Sequence, residues 1–194
     1  MRLLFVADGH SPIALNWIAH FVEAGHEVHL LSTFPCKPDL ELSSLNVVPV
    51  AFSGVGMWLR ARRGKTSSRP SIGGARMISL RDFLRHWLGP LTLPRATEQA
   101  RKVIEEVQPN LVHAMRIPFE GILAAAAQPF APLLLSVWGN DFTLQATSTP
   151  FMSLLTRRAL TRADGLHVDC QRDLNLAYEL GFSRERPRLV LPGG

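Results

Sequence analysis

Apolar residues recur in two rhythms along this chain, and residues 1–32 show both. Leu3, Leu4, Phe5, Val6 and Ala7 form an unbroken apolar run, the pattern of a strand buried on both faces of a parallel sheet. Asp8-Gly9-His10-Ser11-Pro12 follows, with Ser11 suited to cap a helix and Pro12 to its first position, where a missing N–H costs nothing. Ala14, Trp17, Ile18, Phe21 and Val22 then repeat on one helical face, and Gly25 ends the helix. Val28-His29-Leu30-Leu31 reads as the next strand. The stretch predicts a βαβ unit, whose first turn lies at the carboxyl edge of a sheet, where α/β folds bind ligands.

The same alternation continues. Val47-Val48-Pro49-Val50 reads as a third strand, placed at or near the sheet edge by Pro49. Residues 53–76 are rich in Gly, Ser and Arg, have no clean period, and predict a mobile loop. Ser79 with Asp82 resembles a capping box before the helical repeat Leu80, Phe83, Leu84, Trp87 and Leu88, which ends at Gly89-Pro90. A helix is expected from about Pro94 to Val107, then a strand at Leu111-Val112-His113 and a small-residue helix from Gly121 to Ala127. Pro132 to Val137 predicts a strand, Thr149-Pro150 opens a helix running to about Arg162, and Gly165 to Val168 is again a strand. Asp169 is placed to cap the next helix, which stops at Gly181, and Arg188 to Leu191 forms the last strand. About seven strands alternating with helices predict a Rossmann-like doubly wound parallel sheet with helices on both faces.

With 194 residues the chain is long enough for one large domain. Its net charge of +5 is unevenly spread. Between Glu41 and Asp82 there is no acidic residue, while Arg60, Arg62, Arg63, Lys65, Arg69, Arg76 and Arg81 all fall there. The basicity belongs to one segment, which argues against a general nucleic-acid binder. Beside Trp58 it suits an anionic membrane surface instead. Cys36 and Cys170 have no metal-ligand spacing and imply no disulfide framework, so a reduced cytoplasmic setting is expected.

In a doubly wound sheet, the turns after the first, fourth and fifth strands converge. They supply Asp8, Gly9, His10 and Ser11; Met115, Arg116 and Ile117; and Trp138, Gly139, Asn140 and Asp141. Helix N-termini there offer free N–H groups to a phosphate or a sugar hydroxyl, and Arg116 could add a forked donor. The competing readings are plain: Asp8-Gly9 as a turn, His10 and Arg116 as surface residues, Asn140-Asp141 as a loop cap, and Trp138 as core. No G-x-G-x-x-G or P-loop follows the first strand, and neither a nucleophile elbow nor a paired-histidine metal motif occurs. No metal or cofactor is expected.

Several short segments together resemble the N-terminal half of GT-B glycosyltransferases, in particular the retaining family 4 group. They are Pro109-Asn110-Leu111-Val112-His113-Ala114, Gly121 with the alanines up to Ala127, and Ser136-Val137-Trp138-Gly139-Asn140-Asp141. Arg162-Ala163-Asp164-Gly165, Glu179-Leu180-Gly181 and Val190-Leu191-Pro192-Gly193 continue the series. Gly9 stands where many members carry a glycine pair, and Trp138 where many carry histidine; Asp141 matches the family's acid.

The resemblance implies an acceptor-side domain spanning residues 1–194, with a C-terminal donor-binding domain absent from this chain. It implies a nucleotide-sugar donor, a glycan or lipid-linked acceptor, and no bound metal. Gly9, His10, Ser11, Arg116, Trp138, Asn140 and Asp141 are then the expected substrate contacts, and Trp58, Arg60, Arg62, Arg63, Lys65 and Arg69 the expected membrane contacts. Catalytic residues are not identified, and the chain alone is expected to be inactive. The rival readings are a stand-alone flavodoxin-like binding module and a membrane-surface adaptor acting through the basic loop.

Overall fold

The computed structural model describes residues 1–51, 87 and 89–192. The basic loop at 53–76, with Trp58, Arg60, Arg62, Arg63, Lys65 and Arg69, lies outside them, as do the expected capping box, Leu80, Phe83, Leu84, Leu88 and the final two glycines. Trp87 is helical but 55% exposed, so it is no core position.

Seven parallel strands form one sheet in the order β3-β2-β1-β4-β5-β6-β7. They are β1 (Arg2–Ala7), β2 (Glu27–Ser32), β3 (Ser44–Val47), β4 (Leu111–Met115), β5 (Leu133–Val137), β6 (Gly165–Val168) and β7 (Arg188–Val190). The α-helices whose full extent lies among the described residues are α1 (Pro12–Glu23), α2 (Leu93–Val107), α3 (Ile122–Ala127), α4 (Pro150–Arg162) and α5 (Gln171–Glu179). Strand order reverses between β1 and β4, where Leu3 lies opposite Leu111 on one side and Val28 on the other. That reversal is the switch point of a doubly wound sheet.

The unbroken apolar run of β1 is used on both faces. Leu3, Phe5 and Ala7 pack with Ala14 and Ile18 of α1. Leu4 and Val6 point the other way, into a larger core shared with α2, α3, α4 and α5. Short polar side chains start two of the helices: Ser11 Oγ accepts from Ala14 N at 3.4 Å and Thr149 Oγ1 from Met152 N at 3.0 Å. Gln108 and Gln128 close α2 and α3 in the left-handed region, at φ 51° each. Pro109 and Pro129 come next, and neither could continue a helix.

Two boundaries differ from expectation. The third strand is Ser44–Val47, not residues 47–50. Val48 N still donates to Ser32 O at 2.9 Å, but Pro49 has no N–H to carry the ladder on, and Val48 and Val50 turn into the core. The strand is an edge strand, as the proline required. The cap of α5 is Cys170, without a side-chain bond, while Asp169 turns aside to accept from Gly139 N at 3.2 Å. Among the described residues no helix is long and apolar enough to cross a membrane.

Candidate functional site at the carboxyl edge of the sheet

All strands being parallel, the segments leaving β1, β4, β5 and β6 stand on one edge. After β1, Ser11 N donates to Asp8 O at 3.0 Å and His10 N to Asp8 Oδ1 at 2.9 Å, which folds Asp8 back over its own turn. His10 remains exposed. Gly9 N donates to Ser32 Oγ at 3.1 Å, and a Cβ on Gly9 would lie 2.2 Å from Cys36 Sγ. Glycine is needed there because the segment after β2 packs against it.

The segment after β4 is strained. Arg116 has φ 97° and ψ 145°, and Phe119 has φ 68° and ψ −53°, both costly for residues with side chains. Pro118, at ψ 120°, and Phe119 leave helical geometry, so α3 does not begin until the chain has made a wide turn closed by Gly121 N donating to Arg116 O at 2.9 Å. A Cβ on Gly121 would stand 3.1 Å from that carbonyl oxygen.

One carboxylate holds the strained turn. Arg116 Nε and Nη2 donate to Asp141 Oδ1 at 3.2 and 2.7 Å, and Trp138 N donates to Asp141 Oδ2 at 3.3 Å. The Asp141 side chain is fully buried, whereas that of Arg116 is 41% exposed. Burial raises the carboxyl's pKa above its ordinary value, outweighing the guanidinium beside it. For Arg116 the balance reverses. Burial opposes its charge, but Asp141, Glu120 and Asp8 together raise its pKa.

Glu120 is buried and accepts from Thr33 Oγ1 at 2.6 Å, tying the segment after β2 to the one after β4. Asp169 and Arg172 bracket Gly139 from the segment after β6, through its N–H and its carbonyl at 3.2 Å each. Among the described residues no three His, Cys, Asp or Glu side chains are arranged to hold a metal ion.

The expected site residues therefore separate into three kinds. Arg116 and Asp141 meet directly, with Asp8 close enough to act on Arg116. His10 and Asn140 are exposed on the same edge, and Ser11 and Gly9 serve the turn and its packing. Trp138 belongs to neither group: at 9% exposure its indole packs with Met115, Ala14 and Ile18 in the core under α1. Two of the five N–H donors of Arg116, on Nε and Nη2, are engaged by Asp141.

Sequence reasoning missed Glu120 and Thr33, whose side chains meet across 87 residues of chain. A histidine–serine–histidine chain was missed as well. On the α1 face, Ser136 Oγ joins His113 Nε2 at 2.7 Å to His167 Nδ1 at 3.0 Å, and His167 Nε2 donates to Leu191 O at 2.9 Å. Alternation inside β4, β5 and β6 could have placed all three side chains on one face, given the strand order.

The MurG structure of Acinetobacter baumannii is 11% identical, with a TM-score of 0.49, and aligns with 100% of this chain and 46% of its own. The Glycyrrhiza uralensis protein UGT73P12, solved with glycyrrhetinic acid 3-O-monoglucuronide, is 11% identical with a TM-score of 0.43, over 91% of this chain and 45% of its own. The chain thus spans about half the length of these structures. No curated protein sequence matches it. The model of the glycosyl transferase 4-like domain, however, matches residues 8–193, and the chain belongs to that family.

Proposed function

We propose that this chain is the acceptor-side domain of an enzyme that moves a sugar from a nucleotide-sugar donor to a glycan or lipid-linked acceptor, building a polysaccharide or glycolipid at the cytoplasmic face of a membrane. The family match over residues 8–193 carries the reading. The carboxyl edge supports the acceptor role. Three carboxylates, Asp8, Glu120 and Asp141, surround the single guanidinium of Arg116, an arrangement that suits hydroxyl groups better than a diphosphate. The leaving diphosphate needs positioned cations, which a second domain would supply.

The 194-residue chain on its own is expected to transfer no sugar and hydrolyse no nucleotide sugar, while glycan acceptors still give saturation-transfer signals in NMR. Turnover above a heat-killed control would overturn the division of labour. Nucleotide-sugar binding without glycan binding would overturn the acceptor assignment.

Attachment to the membrane rests on the sequence of the segment around Trp58, Arg60, Arg62, Arg63, Lys65 and Arg69. Each cation near anionic lipid is worth about 1 kcal/mol, screened by salt. Sedimentation with anionic vesicles is expected at low salt and to fall at high salt. Binding indifferent to lipid charge would contradict it.

A further inference from the structure

On the face of the sheet opposite α1, helices α2 and α4 flank the much shorter α3. The six residues of α3 end in four alanines, so its outer surface stands low between helices of 15 and 13 residues. The result is an open groove of about 780 Å³. Its floor is Ala125, Ala126 and Ala159, and Phe151 and Leu155 wall the α4 side. That volume is the size of a single small-molecule site.

The rim is charged with one sign in excess. Arg101, Arg158 and Arg162 face the groove against the one carboxylate of Glu98. Arg101 is engaged by Glu98 at 3.4 Å, and Arg162 by Asp164 and the Pro129 carbonyl. Arg158 has no hydrogen-bond or ion-pair partner among the described residues, and α4 contains three arginines and no acid. Helices after parallel strands run back from the carboxyl edge, so Phe151 marks one end of the groove, and Arg158 and Arg162 lie two to three turns along it. Hydrocarbon wall, shallow alanine floor and a cationic far end fit one kind of occupant.

We propose that this groove binds a single free, monomeric, single-chain anionic amphiphile, its alkyl chain over Ala125 and Ala126 and its head group against Arg158. The inference is independent of sugar transfer, because the groove lies on a helical face and shares no residue with the carboxyl-edge site.

The test is calorimetric titration of the protein with dodecyl phosphate below its micellar concentration. One equivalent should bind, and shortening the chain to decyl and octyl should weaken binding about two- to fourfold per methylene. Arg158→Glu should weaken it at least tenfold, and Ala126→Phe, at an exposed position, should abolish it while the unfolding temperature stays unchanged. Dodecyl maltoside should bind more weakly, and inorganic phosphate not at all. Undiminished binding by Ala126→Phe, equal affinity for the neutral detergent, or binding only to anionic vesicles would overturn the proposal. Saturation by an acidic amphipathic peptide with none by dodecyl phosphate would do so as well. Any of these results would leave the transferase reading untouched.

Discussion

Between pH 7 and pH 4 the protein is expected to lose on the order of 3 kcal/mol of stability through His113 alone. Burial, with His167 nearby, pushes this imidazole down from 6.5 to about 3. An unfolded histidine takes up its proton near pH 6.5, whereas the folded one refuses it until about 3. Protons therefore favour the unfolded chain across that window. The contribution is complete above about pH 6.5 and is lost progressively as the pH falls toward 3.

The refusal has a structural cause. His113 lies at 3% exposure, with its ring against Phe5 and edge-on to Trp17, and its Nε2 is committed to Ser136. His113→Gln retains a polar atom near Ser136 but cannot titrate. Urea denaturation at pH 7, 5.5 and 4 should show a flatter acid dependence for the variant. Parallel pH profiles for the two proteins would assign the acid sensitivity elsewhere.

The second large effect is expected at Arg116. Arg116→Ala leaves a fully buried carboxylate without its cation. Breaking a buried pair costs about 3–5 kcal/mol, and because the guanidinium is partly exposed, water recovers some of it, leaving about 2–3 kcal/mol at neutral pH. The sign of the pH dependence is opposite to that of His113. Asp141 already titrates above its unfolded value, so its contribution is favourable at low pH and is lost as the pH rises through the folded pKa. Removing Arg116 raises that pKa further, so the variant should approach the parent protein in acid and fall away from it toward neutrality.

Arg116→Gly separates charge from strain, because glycine accepts φ 97° where alanine does not. It should be more stable than Arg116→Ala by roughly 1 kcal/mol. Equal denaturation midpoints for the two would show that the backbone at this position stores little strain.

The strands and helices of this fold were legible because each depends on near neighbours. The apolar run of β1, the Ser11-Pro12 and Thr149-Pro150 helix starts, and the prolines after Gln108 and Gln128 are all local signals. The edge position of β3 followed from the chemistry of Pro49, although its limits did not, because pairing stops where partner geometry stops.

The site was legible only as a set of loops. Which side chains meet depends on turns that no short pattern encodes. Arg116 reaches Asp141 because Pro118 and Gly121 force a strained detour, and Glu120 reaches Thr33 across the same detour. The burial of Trp138 follows from a simpler rule. Alternation along β5 continues one residue past its last paired position, so Trp138 falls on the α1 face with Ser136.

The strand order also bears on how this chain can change in length. The central β1–β4 pair joins residues such as Arg2 and Asn110, 108 positions apart, and the β2–β3 connection lies inside that closed span. The entropy of closing a flexible span rises only logarithmically with its size, by about 0.6 kcal/mol for each doubling. Added or deleted residues beside Lys37, Asp39 and Glu41, exposed in the β2–β3 connection, therefore change the free energy of the sheet by far less than a single cavity in its core would. Insertions can accumulate there and be sampled by evolution at small thermodynamic cost, while the short connection from β4 into α3, fixed by Pro118 and Gly121, has no such latitude.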